Sequence, residues 1–390
     1  MRKASKGQRY GVPDTSVLLA PLLRAWPLNS FVDLENSMKK TLLAAAALLA
    51  VSGSAFAQSS VTLYGLVDLS IESVKGTDTV TRLASDNYNS SRLGFRGVED
   101  LGGGLKAKFT LESGLNADIG SAGSGAGTSS ARFFSRAAWV GLEGGFGEIR
   151  LGRQDSTIGA IAGNTSIVGT QSYDEAVIAD TFAGRTYRRL DNAITYITPK
   201  FVDGLQVQLQ YSTAADGTTV TNAEAAADSD QGKTFGFSAT YAAGPFGIGG
   251  AYLQVKNDVA GDVDDQSLLA YASFDFGAAK LVGYYNVDKR DNTAEDRKLY
   301  GAKVLFPIGN AFKMNVGVAQ VKDQSFAANR EDDSTFVTVE GVYALSKRTE
   351  LFGLLTTVDN DDQTNLAVSR VANTAGKNSH GIAFGVRHSF

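Results

Sequence analysis

Apolar and polar residues change places at every second position, again and again, from Val61 to the last residue, Phe390. Leu205, Val207, Leu209 and Tyr211 alternate with Gln206, Gln208 and Gln210, and Phe235, Phe237, Ala239 and Tyr241 alternate with Thr234, Gly236, Ser238 and Thr240. Leu105, Ala107, Phe109 and Leu111 alternate in the same way with Lys106, Lys108, Thr110 and Glu112. Successive side chains of a strand point to opposite faces, so each stretch is a strand with one apolar and one polar face. About sixteen such stretches can be counted, beginning near Val61, Ser91, Gly104, Arg132, Gly147, Asp191, Leu205, Lys233, Phe246, Asp265, Ala278, Arg297, Ala311, Ser334, Thr349 and Ser379, and helical spacing fits none of them well.

The connections alternate too. "EDLGGG", "EGGFG", "PKFVDG", "AAGP", "DFGA", "PIGN" and "LSKR" are short and carry the Gly, Pro, Asn and Asp that tight hairpins need. Between them lie long polar stretches such as "NADIGSAGSGAGTSS" and "AADGTTVTNAEAAADSDQG". Ahead of the first strand stands "MKKTLLAAAALLAVSGSAFAQ", in which Lys39 and Lys40 precede an apolar run from Leu42 to Val51 and then Ala55-Phe56-Ala57. That is an export leader, with removal expected between Ala57 and Gln58. The apolar run is too short to span a bilayer. Residues 1–37 precede a complete leader and read as an upstream start, so the expected organisation is 1–37, a signal peptide at 38–57, and one strand-built body at 58–390.

A soluble sandwich would show the same alternation strand by strand. Strand number and asymmetry decide: sixteen strands with short turns at one end and long loops at the other, behind an export leader, predict an all-β transmembrane antiparallel barrel of the outer membrane. Closure also removes the edges that so long a sheet would expose. Phe390 then has a place, because the last strand, "GIAFGVRHSF", must pair with the first, "VTLYGLVDLSIES". The chain has no cysteine, which suits an oxidising compartment, and its 41 acidic against 37 basic residues argue against a nucleic-acid partner. Removing residues 1–57, which hold seven basic and three acidic residues, makes the remainder more acidic still.

Little points to an enzyme. The two histidines, His380 and His388, share a face of the last strand about 26 Å apart, too far for one site. No Cys or His cluster offers a metal site, and "GGG" at 102–104 reads as a hairpin without the helix a phosphate loop needs. The acidic loops "GDVDDQ" and "NREDDS" read as solvated charge, with divalent cations bridging to lipopolysaccharide as the rarer alternative.

"SSVTLYGLVDLSIE", "SSRLGFRGVEDLGGGLKAKFTLESG", "WVGLEGGFGEIRLGRQ", "RLDNAITYITPKFVDGLQVQLQYS", "LSKRTELFGLL" and "GIAFGVRHSF" together resemble the general trimeric porins of beta-proteobacteria, of the Bordetella, Burkholderia and Neisseria type. The resemblance runs over essentially all of 58–390. It implies a homotrimer without cofactor, a water-filled lumen passing small hydrophilic solutes and ions, and a terminal Phe390 read by the barrel-assembly machinery. It also implies a third loop folded into the lumen, for which Gln154 to Leu190 fits and would supply Asp174, Glu175 and Asp180. The Pro-Glu-Phe-Gly-Gly signature of many enterobacterial porins is missing from it. Opposite that loop the family places wall arginines, which match Arg92, Arg136 and Arg189, with Arg188 a near-equal candidate for the last. Arg92 lies opposite Leu93 and Phe95 in parity, whereas Arg136, opposite Trp139 but in step with Val140 and Leu142, is ambiguous. With Lys106 and Lys108 on a lumen-facing row, these arginines predict weak anion preference in high salt, drifting toward cations as salt falls. A substrate-selective anion channel or a surface adhesin is the alternative.

Overall fold

A computed structural model describes residues 60–122, 132–165, 173, 181–182, 185–186, 188–215, 232–256 and 264–390. Alternation builds sixteen barrel strands: β1 (Ser60–Lys75), β2 in two lengths (Thr79–Ser85 and Arg92–Gly102), β3 (Leu105–Asn116), β4 (Ala137–Gly144), β5 (Gly147–Asp155), β6 (Arg189–Ile197), β7 (Leu205–Ala215) and β8 (Thr234–Ala243). They continue as β9 (Phe246–Val255), β10 (Asp265–Asp275), β11 (Lys280–Arg290), β12 (Arg297–Ile308), β13 (Phe312–Lys322), β14 (Ser334–Ala344), β15 (Thr349–Asn360) and β16 (Ser379–Ser389). Each strand pairs antiparallel with its sequence neighbours, and β16 returns to β1 in a register from Leu66↔Ser389 to Lys75↔His380. The barrel is therefore closed, and no edge of the main sheet is left unpaired. Shorter elements lie in the connections: Ser121–Ala122, a two-stranded ribbon of Thr181–Phe182 and Arg185–Thr186, a helix α1 (Thr157–Ala162) and a 3-10 turn (Val368–Arg370).

Phe390 extends the closing seam by one residue. Its N–H donates to the Gly65 carbonyl at 3.1 Å, and the Gly65 N–H donates to the Phe390 carbonyl at 3.3 Å. A Cβ at position 65 would lie 2.5 Å from the Phe390 ring, so the terminal aromatic and this glycine fit each other. At the same, short-turn end of the barrel, Gly102, Gly103 and Gly104 all have positive φ, which is why "GGG" makes a hairpin there.

The apolar positions face outward around the barrel, among them Leu63, Ile71, Val140, Ile248 and Phe384. Such a band faces lipid, where a charge at mid-depth would cost about 2–4 kcal/mol. His380 and His388 are exposed on that same outward face, and His388 Nδ1 shares a hydrogen bond of 2.9 Å with the Thr349 hydroxyl.

Inside, two features depart from a plain barrel. The first is a break in β2 at residues 86–91, which sequence alternation did not show: β2 begins at Thr79, and only its second length starts where the pattern predicts. The Asn89 N–H donates to Asp68 Oδ2 at 2.8 Å, and the Ser91 N–H donates to Asp86 Oδ1 at 2.7 Å, so the excursion is bolted to β1. The second is the third loop, which runs from β5 to β6. Its helix α1 is capped by Ser156, whose Oγ accepts from the Gly159 N–H, and buries Ile158, Ile161 and Ala162 against Ala251, Leu253, Val255 and Leu269 on the inner face of β9 and β10. Farther along, Tyr173 packs with Val74, Leu354 and Val358 of β1 and β15. The described residues of the loop thus touch two separate parts of the inner wall, α1 on β9 and β10 and Tyr173 on β1 and β15.

Candidate pore constriction

Arg92 opens the second length of β2, directly after the break. Its Nε donates to the Ser90 carbonyl at 2.8 Å and its guanidinium also reaches Asn89 Oδ1. The excursion therefore supplies the acceptors that hold this arginine, and both are neutral.

Arg136 sits one residue ahead of β4. Its N–H donates to the Glu112 carbonyl at 3.0 Å, and its Nε meets Glu112 Oε1 at 2.5 Å. The Tyr64 hydroxyl donates to the other oxygen of Glu112 at 2.9 Å. Parity is not what brings Arg136 inside. Trp139 pairs with Thr110 and Gly152 and lies under the Arg150 guanidinium at 4.5 Å, so it faces the lumen, while Val140 and Leu142 face lipid. Arg136 escapes their outward parity because it precedes the regular strand. The segment before it is pinned: Arg132 and Arg153 reach the two oxygens of Asp191 at 2.8 and 2.6 Å, and Arg153 Nε donates to the Ser135 carbonyl at 2.7 Å.

Arg189 pairs with Asp155 across the first rung of β5 and β6, Nε to Oδ1 at 3.1 Å. The neighbouring Arg188 accepts the Ser156 N–H on its carbonyl at 2.8 Å and also acts on Asp155 electrostatically. Arg136 acts on both Arg92 and Arg189, and Asp155 feels all four arginines, so the side chains form one electrostatic group. Among the described residues the group sets Arg92, Arg136, Arg188 and Arg189 against Glu112, Asp155 and Asp86, the last of which feels both Arg92 and Arg136. Asp174, Glu175 and Asp180 lie outside the described residues, as do Ala57 and Gln58.

Lys106 and Lys108 stand apart, near the turn end of β3, on the face shared with Glu112. Lys108 is held by Glu143 at 2.7 Å and Glu148 at 3.0 Å, with Lys106 3.8 Å from Glu143, and Arg150 also pairs with Glu148 at 2.7 Å. These lysines are matched by carboxylates on β4 and β5 and do not join the arginine group. Sequence parity could not reveal those partners, because they lie on other strands.

On the far side of the lumen, Tyr88 projects from the β2 break. It packs 5.1 Å from the Phe352 ring, accepts from Lys313 Nζ at 3.0 Å, and lies 5.1 Å under the Arg387 guanidinium, which pairs with Glu350 at 2.8 Å. No residue of this group stood out in the sequence. Its tyrosine belongs to the β2 break, a departure from alternation.

A lumen crossed by a loop, lined by charge, within a closed barrel clad in apolar side chains is the construction of an outer-membrane channel. The family model described as Gram-negative porin matches residues 44–363. Outer membrane porin protein 32 of Delftia acidovorans is 32% identical over 90% of this chain and all of its own length. A porin of Bordetella pertussis is 33% identical over 64% of this chain and 69% of its own. Among solved structures, the anion-selective porin from Comamonas acidovorans superposes with a TM-score of 0.73 at 30% identity, covering 85% of this chain and all of that one. OmpF of Salmonella typhi shares the fold, with a TM-score of 0.62 at 18% identity. The chain belongs to the Gram-negative porin family, a multi-pass barrel of the outer membrane that forms a diffusion channel.

Proposed function

We propose that the channel passes small hydrophilic solutes and ions with a weak preference for anions, and that Arg92, Arg136 and Arg189, with Arg188 beside them, set that preference. The observation that carries the reading is the composition of the group: four guanidinium groups against three carboxylates, Glu112, Asp155 and Asp86. Fixed charge in a narrow passage with low-dielectric walls acts on every ion that passes, whereas charge on outer loops is screened within about 8–10 Å at ordinary salt. The local excess of arginine therefore outweighs the acidic total of the chain. The anion-selective neighbour from Comamonas, at 30% identity, supports the same reading.

The working form is a homotrimer by family likeness, carried to the outer membrane by the leader at 38–57 and inserted through the assembly machinery with Phe390 as its terminal signal. Lipopolysaccharide and outer-membrane lipid are its surroundings. Planar-bilayer recording tests both parts. Insertion in triple conductance steps is expected for a trimer. The zero-current potential across a salt gradient is expected to show anion preference that falls in Arg92→Ala plus Arg136→Ala. A double variant as anion-preferring as the parent would remove the arginines from the mechanism.

A further inference from the structure

We infer that Glu72 is a positioning residue of the channel: a single buried carboxylate on β1 that ties the third loop and the eighth, the connection from β15 to β16, to one point of the wall and so fixes the opening the third loop leaves. Its side chain is fully buried, with 0% exposure. Four donors from four segments end on it. Oε1 accepts from Arg82 Nε at 2.6 Å and from the Ser369 hydroxyl at 3.0 Å. Oε2 accepts from Asn87 Nδ2 at 2.9 Å and from the Tyr173 hydroxyl at 2.9 Å. A carboxylate offers about four acceptor sites, and here all of them are in use.

The donors make the inference more than a statement about one strand. Arg82 is the direct cross-strand partner of Glu72 on β2, and Asn87 belongs to the β2 break. Tyr173 belongs to the third loop, Ser369 to the eighth. Tyr173 is itself 0% exposed, and its carbonyl accepts from the hydroxyls of Thr338 at 3.0 Å and Thr356 at 2.8 Å on β14 and β15. This far point of the third loop is thus fastened by its ring and by its backbone, while α1, at the near end, rests on β9 and β10.

The eighth loop is fastened in the same place. Arg82 Nη2 donates to the Ser369 carbonyl at 3.2 Å and hydroxyl at 3.1 Å, so Arg82 and Glu72 together hold both ends of the serine. Ser369 and Arg370 both have positive φ, at 51° and 53°, a conformation that non-glycine residues keep only where surroundings impose it. The hydrogen bonds to Glu72 and Arg82 supply that imposition for Ser369. A buried carboxylate is stable only with its donors in place, and donors from two loops gather here only because the carboxylate does.

Two variants of the full-length outer-membrane protein in planar bilayers test this. Tyr173→Phe removes one hydroxyl and keeps the ring; Glu72→Gln keeps the volume and removes the charge. Each is expected to raise the frequency of resolved current fluctuations about tenfold, the population shift that follows from one hydrogen bond to a charged group. Liposome swelling should show a higher size cut-off for neutral sugars in both. The double variant should exceed Glu72→Gln alone by little, since both act through one contact. Wild-type fluctuations and cut-off in the single variants, or fully additive effects in the double, overturn the inference. If Glu72→Gln fails to assemble, Tyr173→Phe decides alone by the same readings.

Discussion

The inner wall of this barrel is built in two ways. Across β2 to β6 it carries Arg92, Arg136 and Arg189 with carboxylates and backbone carbonyls between them. Across β9, β10 and β12 to β16, toward the loop end, it carries Ala251, Leu253, Leu269, Leu299, Val321 and Leu354, all buried. Both stretches face inward, and both belong to strands whose other face is apolar. The difference lies in what covers them. The second stretch is roofed by α1, Tyr173 and Val368, so its side chains meet protein rather than water. A porin lumen is therefore not one environment, and an inward leucine marks the place where a loop rests.

The largest effect that would test this contrast comes from cutting into the roofed side. Leu253→Ala leaves a cavity beneath α1 at a residue with 1% exposure, and such truncations cost about 2–5 kcal/mol. The expected result is a lower thermal midpoint together with a noisier channel, because the lost packing is between wall and loop. A drop in midpoint with an unchanged open-channel current would mean that the helix does not depend on this contact.

The outer half of the pattern was legible in sequence for a simple reason. Lipid contacts every strand alike, so the alternation of Phe235 and Phe237 or of Leu209 and Tyr211 repeats around the barrel. The interior follows no such repeat. The apolar parity of Leu253 and Val255 on β9 is the signal that could have located the third loop, since it fills a face that water would otherwise claim. The partners of the arginines were out of reach because Glu112 and Asp155 approach Arg136 and Arg189 from neighbouring strands, through register rather than spacing. The β2 break interrupts alternation for six residues, and Asn89, Ser90 and Tyr88 carry no charge that would have drawn notice.

On the charged side the next effect in size belongs to Arg136. Arg136→Ala leaves Glu112, with 14% side-chain exposure, holding only the Tyr64 hydroxyl, and an under-served buried acceptor costs about 1–3 kcal/mol. Glu112→Gln added to it should recover most of that stability and, because it takes a negative charge out of the same group, part of the anion preference as well. A thermal melt and a zero-current potential on the same two variants separate the outcomes. Recovery of stability with no recovery of anion preference would show that Arg136 acts through its own position rather than through the net charge of the group.

Arg92 should change stability less and selectivity more. Its acceptors, the Ser90 carbonyl and Asn89 Oδ1, are neutral, so no carboxylate at hydrogen-bond distance offsets its charge. Arg92→Gln is expected to lower stability less than Arg136→Ala does, because its hydrogen bonds end on neutral acceptors and its removal leaves no carboxylate without a donor. Its zero-current potential should move toward cations by more than that of Arg189→Gln, whose charge is shared with Asp155. The reverse order would mean that depth in the passage outweighs pairing.

The smallest effect is expected at Lys108, which sharpens the contrast within the charged side itself. Lys108 faces the same lumen as Arg92, yet it sits between Glu143 and Glu148 with Lys106 and Arg150 alongside, three cations each paired with a carboxylate. Each of these cations has a carboxylate at 3.8 Å or less, so an ion crossing that level meets a field weakened by pairing, and partly exposed pairs of this kind contribute about 0–1 kcal/mol to stability. Lys108→Gln should therefore shift the zero-current potential by a small fraction of the Arg92→Gln shift, and in high salt by still less, because screening acts on pairs open to water. If Lys108→Gln moves the potential as far as Arg92→Gln does, a lumen charge counts by its presence alone, and the distinction between paired and unpaired cations loses its role in selectivity.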